Sequence, residues 1–301
     1  MKFRGVIALA GMVLSSLVNA ASYPLPTDGS QMVGKLQNHV VKQGETLAQV
    51  AKQYDVGFLS LMAANKGVDP FLPDGGTILT IPSQFILPTE TREGIVINLA
   101  ELRLYYFDKN EPVVHIFPVG IGRIGRDTPV MTTYVNEKIA HPTWTPTDNI
   151  RKEYLGKGIE LPDVVPAGPN NPLGEYAMRL AHGVGEYLIH GTNKNFGIGL
   201  RVSSGCIRME PPHIEWLFSQ AKRGEKVQVV NNPIKIALEP DRSVFIEVHE
   251  PLTDSKGNKD PLQMPVELEW WMDEFGYPMT KARAAVLVQS GVPTEVAGPN
   301  L

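Results

Sequence analysis

Cysteine is almost absent from this sequence of 301 residues, in which Cys206 is the single one. No disulfide can therefore form within the chain. A lone cysteine is an inert buried thiol, a partner in an intermolecular bridge or a nucleophile. The residues around it decide among these roles, because a nucleophilic thiol needs a base or a local positive field.

The chain also lacks an excess of positive charge. Its net charge is −4, and it becomes −6 without the first twenty residues, which carry Lys2 and Arg4 and no acid. Nucleic acid is therefore not expected as a partner, since phosphate binding requires clustered Lys and Arg. The apolar run at residues 6–18 falls short of the ~20 residues that a membrane helix needs, and no membrane span is predicted.

The first twenty residues have the features of a signal peptide. Two positive residues precede the apolar run, and Val18-Asn19-Ala20 offers a cleavage sequence, so cleavage is predicted after Ala20. A retained N-terminal anchor is the alternative. No cysteine lies near the cleavage site, which excludes lipid attachment there. We predict an exported protein that is periplasmic in a Gram-negative host.

Residue patterns divide the rest of the chain into several predicted units. Turn-forming residues dominate 21–37, which is predicted as a lead-in segment. Residues 38–82 have the pattern of a β-α-α-β unit, and 83–93 are predicted as a linker. Apolar residues recur at the spacing of one helical face in this unit, at Leu47, Val50, Ala51 and Tyr54.

Residues 94–250 are predicted as a mainly β domain with one main helix, which ends near Gly224. Within it, the Pro- and Gly-rich stretch 141–174 is predicted as a loop or flap. Residues 251–301 are predicted as a C-terminal extension that is partly helical. Its two helices are expected near 266–275 and 280–290.

The residues around the cysteine supply the groups that acyl transfer by a thiol requires. His190, at the end of a predicted strand, would accept the thiol proton. Gly205 permits unusual backbone angles, and the N–H groups of Gly205 and Cys206 would stabilise an oxyanion. Arg208 would hold a substrate carboxylate in a bidentate pair. The pattern indicates acyl transfer on an acidic peptide.

The unit at 38–82 resembles the LysM module. The resemblance implies binding of glycans that contain N-acetylglucosamine, as in the bacterial cell wall or chitin. A small structural domain without sugar binding is the alternative, and a single copy would add only modest affinity. The matching residues are His39-Val40-Val41, Gly44-Glu45-Thr46-Leu47, Val50-Ala51, Tyr54, Asn65 and Leu79-Thr80-Ile81-Pro82.

The unit at 94–250 resembles the L,D-transpeptidase family, in the YkuD-type catalytic domain of its ErfK/YbiS/YcfS/YnhG group. A LysM unit ahead of this domain fits the subgroup that links an outer-membrane lipoprotein to peptidoglycan. The matching segments are Tyr187-Leu188-Ile189-His190-Gly191-Thr192-Asn193, Gly197-Ile198-Gly199, and Ser203-Ser204-Gly205-Cys206-Ile207-Arg208-Met209.

The resemblance implies a mechanism that agrees with the one predicted from the residues. Cys206 would attack the carbonyl between the L-centre of meso-diaminopimelate and the terminal D-Ala of a tetrapeptide stem. D-Ala would leave, and a thioester would form. An amine would then take the acyl group, from another diaminopimelate or from the terminal lysine of a lipoprotein. The resemblance also implies that the Gly191 carbonyl orients His190 and that carbapenems acylate Cys206.

One position departs from the family pattern, because Ser204 stands where histidine usually precedes the Gly-Cys pair. His190 is therefore the only nearby base candidate. Ser203, Ser204, Asn193 and Trp144 join Arg208 as candidate substrate-binding residues. A hydroxyl that supports the loop is the favoured alternative role for Ser203, core packing is the alternative for Trp144, and a structural ion pair is the alternative for Arg208.

Other functions stay open at this point. A zinc site from His182, His190 and Cys206 is conceivable, but the spacing matches no metal motif, and neither a metal nor a cofactor is predicted. A hydrolytic relative would use the same thioester to trim stems or detach lipoprotein. A non-catalytic wall-binding protein is the third reading, against which the His190–Cys206 pair argues.

Overall fold

The computed structural model describes residues 21–183, 187–194 and 196–299, so the predicted signal peptide lies outside the described residues. The strands are β1 (Ala21–Pro24), β2 (Met32–Gly34), β3 (Gln37–Val40), β4 (Ile78–Ile81), β5 (Gln84–Ile86), β6 (Gly94–Asn98), β7 (Arg103–Phe107), β8 (Val113–Pro118), β9 (Ile121–Gly122), β10 (Met131–Ala140), β11 (Tyr176–Leu180), β12 (Leu188–His190), β13 (Arg201–Ser203), β14 (Ile207–Arg208), β15 (Lys226–Val230), β16 (Ile234–Leu238), β17 (Val244–Val248) and β18 (Thr294–Ala297). The helices are α1 (Leu47–Gln53), α2 (Phe58–Ala64), α3 (Asp148–Leu155), α4 (Pro211–Gln220), α5 (Val266–Glu274) and α6 (Thr280–Val288).

The unit at 38–82, called the N-terminal module below, has the predicted β-α-α-β order. β3 and β4 pair antiparallel, and α1 and α2 pack beside them around a small core. Thr46 begins α1 with a capping box: its hydroxyl accepts from the Gln49 backbone N–H, and the Gln49 side chain accepts from the Thr46 N–H. Leu47, Val50 and Ala51 are buried, which confirms the predicted helical face.

A nine-stranded sheet forms the centre of the predicted catalytic domain, in the order β1-β8-β7-β6-β15-β10-β11-β12-β14. β6 and β7 form an antiparallel hairpin, with Ile95 opposite Tyr106. α4 is the predicted main helix, and its buried Ile214 and Leu217 belong to the core beneath the sheet. The mainly β class is therefore confirmed.

The segment 21–37, predicted as a lead-in, is part of the folded protein. β1 pairs antiparallel with β8 at the edge of the large sheet, and β2 pairs with β5 inside the predicted linker. Tyr23 stabilises this arrangement, because its ring packs edge-on against Phe85 with 5.6 Å between the ring centroids. The turn-forming residues therefore connect short strands, which corrects the predicted division.

The C-terminal unit begins earlier than predicted. β16 and β17, expected in the catalytic domain, form a separate three-stranded sheet with β18. α5 and α6 match the two predicted helices and pack on this sheet around buried residues such as Leu268 and Ala282. This sheet starts before the predicted boundary at 250. Nothing in the sequence indicates it, because the pairing of β17 with the distant β18 leaves no local pattern.

A buried ionic cluster joins the C-terminal unit to the large sheet. Lys235 Nζ lies 3.1 Å from both Glu101 Oε1 and Glu247 Oε2, and Arg103 Nη1 lies 3.0 Å from Glu247 Oε1. His249 Nε2 lies 2.8 Å from Glu247. Burial alone would raise the pKa of Glu247, but Lys235, His249 and Arg103 outweigh it and hold that pKa far below its usual range.

The N-terminal module contacts the catalytic domain through the loop that carries Gly199. The Leu59 N–H donates to the Gly199 carbonyl at 3.5 Å, and His213 Nε2 of α4 lies 3.4 Å from Asp55 Oδ1. Gly199 has φ +70°, and a Cβ there would lie 2.5 Å from the Phe58 nitrogen. Only glycine fits this contact without displacing backbone.

Candidate active site

Strands β12 and β14 bring His190, Cys206 and Arg208 to one face of the sheet. The two strands are parallel neighbours, with Ile189 opposite Ile207 and His190 opposite Arg208. Because side chains alternate along a strand, the buried Ile189 and Ile207 enter the core, while the other three face away from it. There His190, Cys206 and Arg208 line one cleft.

The loop before Cys206 is held in a tight conformation. Gly205 has φ +104°, a backbone conformation that residues other than glycine rarely adopt. The Ser203 hydroxyl donates to the Cys206 carbonyl at 2.5 Å, and the Thr128 hydroxyl donates to the Gly205 carbonyl at 2.9 Å. Ser203 is buried and supports the loop, the alternative role named for it. The N–H pair of Gly205 and Cys206 as an oxyanion site stays a prediction.

His190 is oriented by backbone carbonyls. Its Nδ1 lies 2.6 Å from the Gly191 carbonyl oxygen, which can only accept, so Nδ1 carries the proton and Nε2 is the acceptor of the neutral ring. Burial is the main cause that lowers the pKa of His190 to about 4, and the Arg208 charge lowers it further. The carbonyls of Gly191 and Leu173 oppose that shift. The imidazole is therefore neutral, the form of a base, at neutral pH.

Arg208 lies two residues after Cys206, and not all of its hydrogen-bonding groups are used. No carboxylate within the described residues lies at ion-pair distance from its guanidinium, so the structural ion pair considered for Arg208 is not found there. Its buried Nε has no partner. Burial lowers the pKa of Arg208, and the nearby Cys206 and Tyr154 oppose that shift. An arginine in a protein still keeps its charge, which favours a thiolate beside it.

The stretch 141–174, predicted as a loop or flap, forms a flap over the cleft and includes the helix α3, which was not predicted. The Asn171 side-chain amide closes its base by donating to the Pro142 carbonyl at 2.7 Å. Trp144 and Val165 bridge across the flap through paired backbone hydrogen bonds. The half-buried Trp144 side chain lines the cleft, as expected of a substrate-contacting residue.

Ser204 is linked to the flap by residues that the sequence analysis did not single out. Its hydroxyl accepts from Arg126 Nη1 at 3.2 Å, and Arg126 Nη2 lies 3.2 Å from Glu153 Oε2 on α3. Arg123 contacts the same carboxylate. The sequence shows Arg123 and Arg126 close together around Gly125, but it does not show their common partner, because Glu153 is distant along the chain.

Two residues considered from the sequence lie elsewhere. Asn193, expected to contact substrate, does not line the cleft, because its amide donates to the Pro169 carbonyl at 3.3 Å at the end of the flap. His182 packs edge-on against Tyr187. In the described part of the chain, the group with metal-compatible spacing is Glu101, Glu247 and His249 rather than His182, His190 and Cys206. Cations Lys235 and Arg103 already neutralise those carboxylates.

Family models match the chain in three consecutive parts. They are the LysM domain at residues 39–82, the L,D-transpeptidase catalytic domain at 92–229 and the L,D-transpeptidase C-terminal domain at 233–296. The chain is 49% identical over 295 residues to probable L,D-transpeptidase YcfS of Escherichia coli (strain K12), covering 95% of this chain and 92% of that protein. The chain belongs to the L,D-transpeptidase family.

Other relatives of this L,D-transpeptidase lead to the same family. Probable L,D-transpeptidase YbiS of the same strain is 49% identical over 261 residues, covering 85% of this chain and 84% of that protein. Probable L,D-transpeptidase ErfK/SrfK is 44% identical over 286 residues, covering 92% and 91%. The match to a C-terminal domain at 233 agrees with the separate sheet that β16 begins. The L,D-transpeptidase is thus an enzyme of this class, with domains that support peptidoglycan as its binding partner.

No helix of the L,D-transpeptidase within the described residues combines the length and the apolar character that crossing a membrane requires.

Proposed function

We propose that Cys206 transfers the acyl group of a peptidoglycan tetrapeptide stem to an amine, through a thioester. The observation that supports this most strongly is the parallel pairing of β12 and β14, which sets His190, Cys206 and Arg208 side by side in one cleft. A neutral imidazole, a thiol and an arginine that no described carboxylate neutralises are the groups that such a transfer uses.

The first half of the reaction forms the thioester. His190 Nε2 takes the proton of the Cys206 thiol, and the sulfur attacks the carbonyl carbon before the terminal D-Ala. The N–H groups of Gly205 and Cys206 stabilise the resulting oxyanion. The C–N bond then breaks, and His190 returns the proton to the amine of the departing D-Ala. Arg208 holds a carboxylate of the stem during these steps.

The second half transfers the acyl group. An amine enters the cleft, loses a proton to His190 and attacks the thioester carbonyl, and the sulfur of Cys206 leaves with that proton. The acceptor amine belongs to a second diaminopimelate or to the terminal lysine of an outer-membrane lipoprotein. The N-terminal module binds the glycan strand that carries the stem, and the reaction takes place in the periplasm.

The experiment follows the masses of the products. Protein without residues 1–20 is incubated with a tetrapeptide muropeptide, with and without a peptide that ends in lysine. We expect loss of D-Ala and, with the acceptor, gain of its mass; Cys206→Ala and His190→Gln variants should show neither. Gain of water alone would favour the hydrolytic relative. A wild-type protein as inactive as Cys206→Ala would leave the wall-binding reading.

A carbapenem provides an independent check of the nucleophile. We expect intact-protein mass spectrometry to show one added carbapenem on the wild type, located at Cys206 by peptide mapping. The Cys206→Ala variant should stay unlabelled. Labelling at another residue would contradict the assignment of the thiol.

A further inference from the structure

The rim of the cleft next to Ser204 carries more positive charge than its own residues neutralise. Arg123, Arg126 and Lys157 all pair with Glu153, and with no other carboxylate of the described residues. Arg123 Nη1 lies 3.1 Å and Lys157 Nζ lies 2.9 Å from Glu153 Oε1. Three cations therefore share one carboxylate, which leaves two positive charges at this position.

Glu153 is ionised at neutral pH, so it cancels one of the three positive charges and two remain. Hydrogen bonds from Arg123 and Lys157 lower the pKa of Glu153 to about 2. The nearest other acid on this loop, Asp127, is engaged with Arg201 Nη2 at 2.9 Å. Neither Glu153 nor Asp127 is therefore available to neutralise the two positive charges that remain in this group.

Arg126 is the member of this group whose side chain contacts the segment before Cys206. Its Nη1 donates to the Ser204 hydroxyl, and Ser204 stands two residues before Cys206. Its Nη2 contacts the Asn149 carbonyl at 3.1 Å and Glu153 on α3. Arg126 therefore lies where the loop of the nucleophile meets the flap, whereas Arg208 lies beside His190 on the neighbouring strand.

We propose that Arg126, supported by Arg123, is a second carboxylate-binding site of the cleft, which binds an anionic group of the stem peptide next to Ser204. The proposal rests on the proposed function, in which the substrate is an acidic peptide. It assigns Arg208 and Arg126 to two different carboxylates of the substrate. An arginine fork with excess local charge is suited to a planar carboxylate, which it binds through paired N–H groups.

The test combines a change in the enzyme with a change in the substrate, as in a double-mutant cycle. Release of D-Ala is measured for wild type and Arg126→Gln on the free stem and on stems in which each carboxyl group is converted in turn to an amide. Losing a charge-assisted contact should raise KM about 10- to 100-fold. For one of the amides, we expect Arg126→Gln to have the same KM as wild type, because the contact is already absent.

A purely structural role for Arg126 predicts a different pattern. If Arg126 only fixes Ser204 or α3, its replacement should cost the same factor on every stem, and this additive result would overturn the proposal. Arg126→Lys should recover part of the loss on the free stem and none on the amide that removes the effect.

Two controls keep the outcome interpretable. Lys152→Gln removes a positive charge from α3, the helix that carries Glu153, at an exposed side chain with no ion pair among the described residues. For this control, KM should stay at the wild-type value. Thermal unfolding of each variant shows that it is folded. If wild type releases no D-Ala from any stem, the proposed function itself fails; if it does so and the losses are additive, only the second site is wrong.

Discussion

His190 is buried, and its imidazole is neutral at neutral pH. Burial and the charge of Arg208 both act against protonation, so the ring, which lines the same cleft as Cys206, is in the form that accepts a proton. The same shift makes the folded state bind fewer protons than the unfolded state between the ordinary pKa of histidine and about 4. His190 therefore stabilises the fold above this window, and that contribution is lost as the pH falls through it.

The first prediction concerns this pH dependence. From about pH 7 to about pH 4, wild type should lose about 3 kcal/mol more unfolding free energy than His190→Gln, which cannot be protonated. Urea unfolding at several pH values measures both proteins. All other acids and histidines are common to the two proteins and cancel in the difference. Parallel stability curves would mean that His190 is not buried in its neutral form.

Single residues near the cysteine could be predicted from the sequence because they are contiguous with it. Gly205, Cys206 and Arg208 occupy one short segment, and the strand ending at His190 is apolar enough to identify. Arg126 and Thr128 could not be predicted, because their roles depend on contacts with a loop far along the chain. Asn193 shows the opposite error: it lies close to His190 in the sequence and was predicted to bind substrate, but its side chain contacts the flap instead.

At the scale of elements, α3 was missed for a physical reason. None of its residues is buried, so it has no apolar face whose spacing could reveal a helix. Its position depends on Glu153 and the arginines of the opposite loop. α1 and α4, by contrast, bury regular apolar faces and were predicted. β18 was missed because its partner β17 lies far away in the sequence.

The pairing of β17 with the C-terminal sheet places Glu247 in the ionic cluster, which leads to the second prediction. Glu247→Gln should destabilise the protein by about 3–5 kcal/mol, because Lys235 and Arg103 would keep their charges in a buried site with one carboxylate fewer. Chemical unfolding of the full chain measures this.

Glu250→Gln is the matched control for Glu247→Gln. Glu250 pairs with Lys259 at 2.6 Å, but both side chains are exposed. An exposed pair contributes little, so this variant should unfold close to wild type. Equal effects of the two substitutions would show that the buried cluster is not a stabilising junction between the two units.

At the scale of the whole molecule, the N-terminal module and the active site share a loop. Gly199 contacts the module, and two residues earlier Gly197 packs on Arg208, where a Cβ would lie 2.8 Å from Nη1. The domain that binds glycan in our proposal is therefore docked directly behind the arginine of the cleft. The Leu59–Gly199 hydrogen bond and the His213–Asp55 contact hold it in this position.

The third prediction tests this docking. Gly199→Ala should displace the N-terminal module, because the new Cβ would meet backbone atoms of Gly57 and Phe58. Amide hydrogen exchange at Leu59, whose N–H donates to Gly199, should become faster. Gly224→Ala is the control, since Gly224 has φ +85° with open space around it. It should cost similar backbone strain and leave Leu59 protected.

The short strand β1 has a consequence for how the protein behaves in solution. It covers the outer side of β8, whose Val113–Pro118 segment is largely apolar and almost entirely buried. Without residues 21–24, the main-chain N–H and C=O groups of β8 would lie open at the edge of the largest sheet. Such an edge pairs readily with strands of other molecules. Four residues at the start of the described chain thus cover an edge that would otherwise be open to self-association.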